Sequence, residues 1–207
     1  MILSLITNSD SNNLENLISA LIGGLLVIIG QFLMELFKNR KEKRNRVIII
    51  SSKTREIEQL LKNDFRELAM FKTHVEYWWF CHNDNSIDDN YKKKYYEEHL
   101  RSQSESRITE KRIGSSIATY FGYVNEYLSI NDSETVGIIS ELKKISNIEF
   151  KRANEYSISD DFDEIRNNQV IKDEKELREE YWVNLKPLKD INEIIYTKSK
   201  NYAQQWV

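Results

Sequence analysis

An apolar run near the beginning of this chain leads directly into a basic segment and limits the folds that the chain can adopt. Residues 17–30 read LISALIGGLLVIIG without a charged side chain, and QFLMELF extends the run to Phe37. As a helix, these residues would cover roughly the 30 Å hydrocarbon core of a membrane. Uncharged runs this short also occur in buried helices of soluble proteins and in helices that lie along a membrane surface. We predict a transmembrane helix over residues 17–37 and keep those two readings as alternatives.

The charges on the two sides of this run predict its orientation. Residues 1–16 contain Asp10 and Glu15 but neither Lys nor Arg, and no small-x-small cleavage site follows the run, so the helix should remain attached. Six basic side chains lie in the juxtamembrane segment 38–46, namely Lys38, Arg40, Lys41, Lys43, Arg44 and Arg46. Such residues mark cytoplasmic flanks and bind anionic lipid headgroups. We therefore expect a single-pass protein of the cell or inner membrane, with residues 1–16 outside and residues 47–207 in the cytoplasm.

Small and polar residues of the predicted span share one side of the helix at 100° per residue. This stripe consists of Ser19, Ala20, Gly23, Gly24, Val27, Gly30, Gln31 and Glu35. Transmembrane helices approach one another closely on such faces, because lipid offers no hydrogen-bond partner to Gln and Glu. We expect self-association, either as a simple dimer or bundle packed on Ala20 and Gly24 or as a pore lined by Gln31 and Glu35. The alternative is that both polar side chains merely reach the headgroups.

The remaining residues are predicted to be helical. Pro187 is the only proline, and three glycines lie outside the span, which is too few turn residues for an all-β fold. Apolar residues from Ile57 to Trp79 follow a three-four spacing in which Lys72 is the only break. The fold class is all-α, with the transmembrane helix continuing into a cytoplasmic four- or five-helix antiparallel bundle. The β-prone segment VIII at residues 47–50 leaves a break after the basic segment open.

Polar segments divide the bundle into helices. The first helix is predicted to end near His82, before a loop at residues 82–90, and the second to cover residues 91–130. Asn131 and Glu134 resemble a capping box that begins a third helix. A second loop or short helical turn at residues 157–168 precedes two helices, 173–185 and 188–207, with Pro187 in the first turn of the last one.

The sequence contains few signals of catalysis. The motifs HExxH and GxSxG do not occur, and neither does a phosphate-binding Gly-rich loop. The single cysteine, Cys81, excludes an internal disulfide. We expect it to be a buried thiol beside two tryptophans. We therefore expect no metal and no cofactor. Two acidic clusters lack EF-hand spacing and are interpreted as solvated loop acids: Asp84, Asp88, Asp89 and Asp160, Asp161, Asp163, Glu164.

An Arg followed by a His on the first helix of the bundle provides the enzymatic alternative. Arg66 and His74 have seven residues between them, and the polar Glu67 follows Arg66 directly. This pair resembles the Arg and His motif of the HEPN ribonucleases, which form a dimeric active site on a helical bundle. The resemblance covers this helix alone. It implies a membrane-tethered ribonuclease with Arg66 and His74 as catalytic residues.

The predicted partner-binding residues are Tyr77, Trp78 and Trp79, because exposed aromatic side chains anchor protein interfaces. The alternatives are that these side chains pack in the core or stack single-stranded nucleic acid. A net charge of −3 argues against a general nucleic-acid binder. The leading functional hypothesis is a non-enzymatic, oligomeric membrane protein whose cytoplasmic bundle senses or recruits a protein partner. The bundle would pass the partner-bound state to the membrane helix, which would open a pore or otherwise perturb the membrane. This layout resembles that of small single-span effectors in bacterial defence systems. A passive membrane scaffold for a cytoplasmic partner is the remaining alternative.

Overall fold

The computed structural model describes residues 3–131, 135–146, 150–157 and 164–204, with side chains from residue 21 onward except those of residues 146, 166 and 167. Its secondary structure is helical, and these ranges contain no strand. The helices are α1 (Leu3–Asn83), α2 (Asp89–Ile130), α3 (Thr135–Ser146), α4 (Val170–Asn184) and α5 (Lys186–Gln204). A π-helical turn, Ile165–Gln169, leads into α4. The all-α prediction is confirmed for the described part of the chain.

The chain divides into two compact units, residues 1–46 and residues 47–207. Every described side chain from residue 21 to residue 43 in the first unit is exposed. The second unit has a continuous apolar core, to which α1, α2, α3, α4 and α5 all contribute buried residues. The buried apolar side chains therefore lie in the second unit, whereas the apolar side chains described in the first unit are exposed.

The β-prone segment at residues 47–50 is helical, so the break considered there does not occur. Val47 and Ile50 are fully buried and open the core of the second unit. Core packing of their side chains outweighs the modest helix penalty of β-branched residues, which amounts to less than about 1 kcal/mol each. Tertiary contact thus decides the local conformation here.

Helix α2 runs in the opposite direction to the part of α1 that it contacts. His99 lies beside Val75, and further along α2 the Arg112 Nε lies 2.7 Å from the Asp64 Oδ1. Residue numbers therefore rise along α2 as they fall along α1. This pairing puts the beginning of α2 against the end of α1, where the aromatic residues of both helices lie.

Helices α4 and α5 follow α1 one after the other, also in the opposite direction. The rings of Tyr181 and Phe65 are 5.5 Å apart between centroids, and the hydroxyl of Ser199 lies 3.3 Å from that of Ser51. The two helices join at Leu185, whose φ of −84° and ψ of −10° remain close to helical values. Pro187 occupies the second position of α5, in its first turn as predicted, where its missing N–H leaves no hydrogen bond unmade.

Helix α1 begins at Leu3, well before the predicted start at residue 17, whereas the end of α1 and the start of α2 lie within two residues of their predicted positions. Helix α1 ends at Asn83, and α2 begins at Asp89 because the Asp88 Oδ1 accepts from the Asn90 backbone N–H over 2.8 Å. Asp84 similarly accepts from the Ser86 backbone N–H. These loop acids therefore stabilise a turn and a helix start. The proposed capping residue Glu134 and the acids at 160–163 lie outside the described residues.

Candidate functional site

The first candidate site is the exposed apolar surface of α1. Met34 is 71% exposed, and every other side chain from residue 21 to residue 37 is exposed as well. No residue in the most apolar stretch of this segment is buried. The helix is long and apolar enough to cross a membrane. Exposure of such a surface to water is unfavourable. Its removal from water is favourable by about 25 cal/mol of free energy for each Å² of apolar area.

The predicted self-association stripe lies on this exposed helix. Gly23, Gly24 and Gly30 have no neighbouring atom within 4 Å of where a Cβ would stand. Val27, Gln31 and Glu35 are exposed as well, whereas the side chains of Ser19 and Ala20 lie outside the described ones. Nothing within the described chain occupies the stripe, so a second molecule would find it accessible. Self-association itself stays a prediction.

The basic residues that follow are mostly solvent-exposed. Lys38, Arg40, Lys41, Lys43 and Arg46 are exposed, and only Arg44 is partly buried. Exposed ammonium and guanidinium groups are suited to phosphate headgroups. The accessibility required for that role is therefore present, while the orientation of the chain stays a prediction.

The predicted partner-binding aromatics separate into two environments. Tyr77 and Trp78 pack against a small buried cluster that contains Phe80 and Cys81, so the buried thiol is confirmed. Trp79, by contrast, is 45% exposed. Of the three residues, Trp79 therefore offers the most accessible surface for a ligand or partner.

Trp79 belongs to a closed group of four rings at the α1–α2 interface. Consecutive centroids are 5.8, 5.1, 6.2 and 5.2 Å apart in the order Trp79, His82, Tyr96, His99 and back to Trp79. Tyr96 is exposed and both histidines are half-buried. Aromatic contacts at these distances favour a fixed arrangement of the rings. The Trp79 indole is therefore held in place by its neighbours.

Both histidines of this group bind the backbone of the opposite helix. The Nδ1 of His82 lies 3.0 Å from the Lys92 carbonyl oxygen in α2, and the Nδ1 of His99 lies 3.0 Å from the Val75 carbonyl oxygen in α1. A carbonyl oxygen only accepts, so each Nδ1 carries the proton. The two helices are thus connected in both directions beside Trp79.

A cavity of about 570 Å³ opens next to these rings, between α1, α2 and the segment 150–157. Its volume lies within the usual range for small-molecule sites. Ionisable side chains dominate the lining, and they are Lys72, Glu76, His99, Arg107, Glu110 and Arg152. The cavity therefore provides both cationic and acidic groups around one space.

Lys72, the break in the apolar spacing of α1, fixes one wall of this cavity. Its Nζ donates to the backbone oxygens of Phe150 and Lys151 over 3.2 and 2.9 Å, and it lies 2.9 Å from the Glu110 Oε1. One ammonium group thereby connects α1, α2 and the segment 150–157. These charge-assisted hydrogen bonds stabilise this wall of the cavity.

Some of the charged side chains around the cavity interact with an opposite charge, and others form no ion pair in the described part of the chain. Burial raises the pKa of Glu76, and the nearby Glu155 raises it further, while His99 and Arg152 act in the opposite direction. Arg107 and Arg152 are exposed at the rim, and neither forms an ion pair within the described part of the chain. Two guanidinium groups are therefore available to a ligand.

The predicted ribonuclease residues are not brought together within this chain. Arg66 is exposed, whereas His74 is half-buried beside Trp78, with ring centroids 6.3 Å apart. Burial lowers the pKa of His74, with Glu174 acting in the opposite direction. Eight helical steps separate the two residues by roughly 12 Å along α1. A site formed with a second chain stays a prediction.

Most of the cavity residues were missed by the sequence analysis. His99, Gln103, Ser106 and Glu110 follow a three-four spacing on α2, which is a polar stripe that periodicity alone would have located. Arg152 has no comparable signal, because its approach to α2 depends on the path of the segment 150–157.

Comparison with known proteins found no relative of this chain. No protein-family model matches the chain, and neither a curated protein nor a solved structure does. Function therefore has to be argued from the exposed helix and the cavity themselves.

Proposed function

We propose that this chain is a single-pass membrane protein without catalytic activity, in which residues 17–37 cross the bilayer and the cytoplasmic residues 47–207 form an antiparallel helical bundle that binds a partner. The observation that carries the proposal is the exposed apolar surface of residues 21–37. Fully removing a Leu, Ile or Phe side chain from water is favourable by about 1.5–3 kcal/mol. A bilayer supplies that gain for the whole circumference of the helix.

The partner-binding face of the bundle is the one that carries Trp79. Its indole is exposed, and contacts with His82 and His99 hold it in position. A preordered aromatic side chain makes a strong interface anchor because little rotational freedom is lost on binding. Tyr77 and Trp78 support this face from the adjacent cluster instead of contacting the partner directly.

Self-association of the membrane helix completes the proposal. The stripe containing Gly24 and Gln31 is exposed, and packing it against a second copy would allow close backbone approach together with a hydrogen bond between Gln31 side chains. Binding at the cytoplasmic face would then act on an assembly instead of on single chains.

Membrane insertion is tested with two variants that introduce the same charge at different places. Leu25→Asp places a carboxylate in the span, whereas Ile171→Asp places one at an exposed apolar position of α4. Insertion of Asp at the centre of a membrane helix costs about 3 kcal/mol. We expect Leu25→Asp to shift the protein out of the carbonate-resistant membrane fraction, and Ile171→Asp to stay in it. Wild-type protein in the soluble fraction would refute the membrane assignment.

The orientation is tested by protease protection in intact and lysed spheroplasts. A cytoplasmic bundle is shielded in intact spheroplasts and degraded after lysis. Digestion of residues 47–207 before lysis would reverse the proposed topology.

Self-association is tested by enlarging one face of the helix at a time. Gly24→Leu adds bulk to the stripe without disturbing the chain's own packing, because a Cβ there meets no atom of the chain. Ile29→Phe adds bulk on the opposite side and serves as the matched control. Light scattering of the detergent-solubilised full chain should show an oligomer for the wild type and for Ile29→Phe, and a smaller species for Gly24→Leu. Equal masses for all three proteins would exclude the stripe as the contact.

A further inference from the structure

We propose that the cavity beside Trp79 binds a nucleoside monophosphate, with the base on the Trp79 indole and the phosphate between Arg107 and Arg152. All three residues line the same cavity of about 570 Å³. The inference rests on the proposed function only in assigning the Trp79 face as the binding face of the bundle. It does not depend on membrane insertion.

The ring surface for the base is Trp79, with His99 next to it. Their centroids are 5.2 Å apart, and His99 is held by its hydrogen bond to the Val75 carbonyl. In single-stranded nucleic-acid complexes, bases of every kind stack on aromatic side chains, and this stacking contributes to affinity. A flat, uncharged ring system is therefore the chemistry that this part of the cavity favours.

The phosphate is assigned to the two exposed guanidinium groups that line the cavity, those of Arg107 and Arg152. Guanidinium groups bind phosphate oxygens through paired hydrogen bonds, and the exposed Arg107 and Arg152 have no ion pair in the described ranges. Lys72 is unavailable for this purpose because Glu110 and two backbone oxygens already surround its ammonium. The anion is thus directed to the arginines.

The lining limits the charge of the ligand. Three cations, Lys72, Arg107 and Arg152, face two carboxylates, Glu76 and Glu110, which leaves a net charge of 3 − 2 = +1 around the cavity. A monophosphate adds fewer negative charges to that balance than a triphosphate does. The monophosphate is therefore favoured over more highly charged nucleotides.

Polar groups for the edge of a base are present in the same cavity. Gln103 offers both a donor and an acceptor, and the Glu76 carboxyl group adds a second hydrogen-bonding partner. A simple aromatic acid has no ring heteroatoms to satisfy them. This lining favours a nucleobase over a plain aromatic ring.

The experiment is isothermal titration calorimetry of the full chain in detergent with the four common nucleoside monophosphates. Adenosine and inorganic phosphate, the two halves of adenosine monophosphate, are titrated separately. At least one monophosphate should bind with a dissociation constant below about 1 mM, and more tightly than either half. Arg107→Gln and Arg152→Gln should each weaken it about tenfold. Arg101→Gln, an exposed arginine of α2 that pairs with Glu98, is the matched control and should bind as the wild type does.

The ring is tested separately with Trp79→Leu and Trp79→Tyr. Trp79→Leu should weaken monophosphate binding about fivefold while Trp79→Tyr retains most of it, since a phenol ring still stacks. Circular dichroism shows whether each variant is folded. If the Leu variant is unfolded, binding by the folded Tyr variant still tests the role of the ring.

Three results would overturn the proposal. These are the absence of saturable binding by all four monophosphates, equal weakening by Arg101→Gln and the rim variants, and phosphate binding as tightly as the nucleotides. None of them alters the membrane fractionation of the chain, so failure of this inference and failure of the membrane assignment give different results.

Discussion

His99 on α2 donates a hydrogen bond from Nδ1 to the backbone oxygen of Val75 on α1, over 3.0 Å. His82 on α1 makes the corresponding bond to the backbone oxygen of Lys92 on α2. The two helices therefore exchange equivalent bonds on either side of Trp79. This reciprocal pairing fixes the register of α1 and α2 at the cavity, where their side chains have to converge.

Replacing His99 tests the contribution of this pairing to stability. His99→Leu removes the donor and should lower the free energy of unfolding by about 1 kcal/mol. His99→Asn keeps an N–H donor close to the position of Nδ1 and should recover part of the loss. Urea unfolding followed by circular dichroism measures both. Equal stability of the Leu variant and the wild type would mean that the bond has no net effect.

A second prediction concerns the buried carboxylate of Asp173, which is only 3% exposed. It accepts hydrogen bonds from Asn154, Tyr156 and Gln169, over 3.2, 2.9 and 2.8 Å. Asp173→Ala leaves three donors without this acceptor and should destabilise the chain by about 3 kcal/mol. Thermal unfolding is the measurement.

The control for this variant is Asp89→Ala, whose carboxylate is 97% exposed and should change stability by less than about 0.5 kcal/mol. A similar loss for both variants would show that Asp173 acts only through its charge and not through the buried hydrogen bonds.

The third prediction is a dependence of stability on pH through Glu58. Burial acts to raise the pKa of Glu58, but hydrogen bonds from Lys62 and Asn192, over 2.7 Å each, outweigh it and leave the pKa below its ordinary 4.5. A lowered pKa in the folded state means that the unfolded chain binds more protons. The stabilisation is therefore complete above pH 4.5 and is lost as the pH falls through the lowered pKa.

Glu58→Gln should reduce the fall in melting temperature between about pH 5 and pH 3 relative to the wild type, because the titrating group is gone. Glu179→Gln removes an exposed carboxylate as the control. Identical acid profiles for the wild type and Glu58→Gln would contradict the assignment.

The fourth prediction concerns ribonuclease activity. The proposed function places no catalytic residue on the bundle, so we expect no RNA cleavage by the purified full chain. A gel assay with labelled single-stranded and structured RNA measures this directly. Cleavage that disappears in both Arg66→Ala and His74→Ala, but persists in Arg101→Gln, would favour the HEPN-like alternative instead.

The helical elements and the candidate span could be predicted from local patterns in the sequence. Periodicity places Leu61, Phe65 and Leu68 on one side of α1, and all three are buried. The scarcity of Gly and Pro excluded a fold with many turns, and the long apolar run needed no tertiary information to be recognised. These properties depend on neighbours along the chain, so local spacing is sufficient to find them.

The contacts between polar residues could not be predicted in this way, because they depend on the tertiary structure. Lys72 interrupts the apolar spacing of α1, but its bonds to the carbonyls of Phe150 and Lys151 depend on where a distant segment crosses the helix. Val47 and Ile50, β-prone by residue type, are helical because the core covers them. Periodicity assigns a residue to a face of its helix, whereas its contacts across that face depend on how the helices pack, and packing is set by the whole chain.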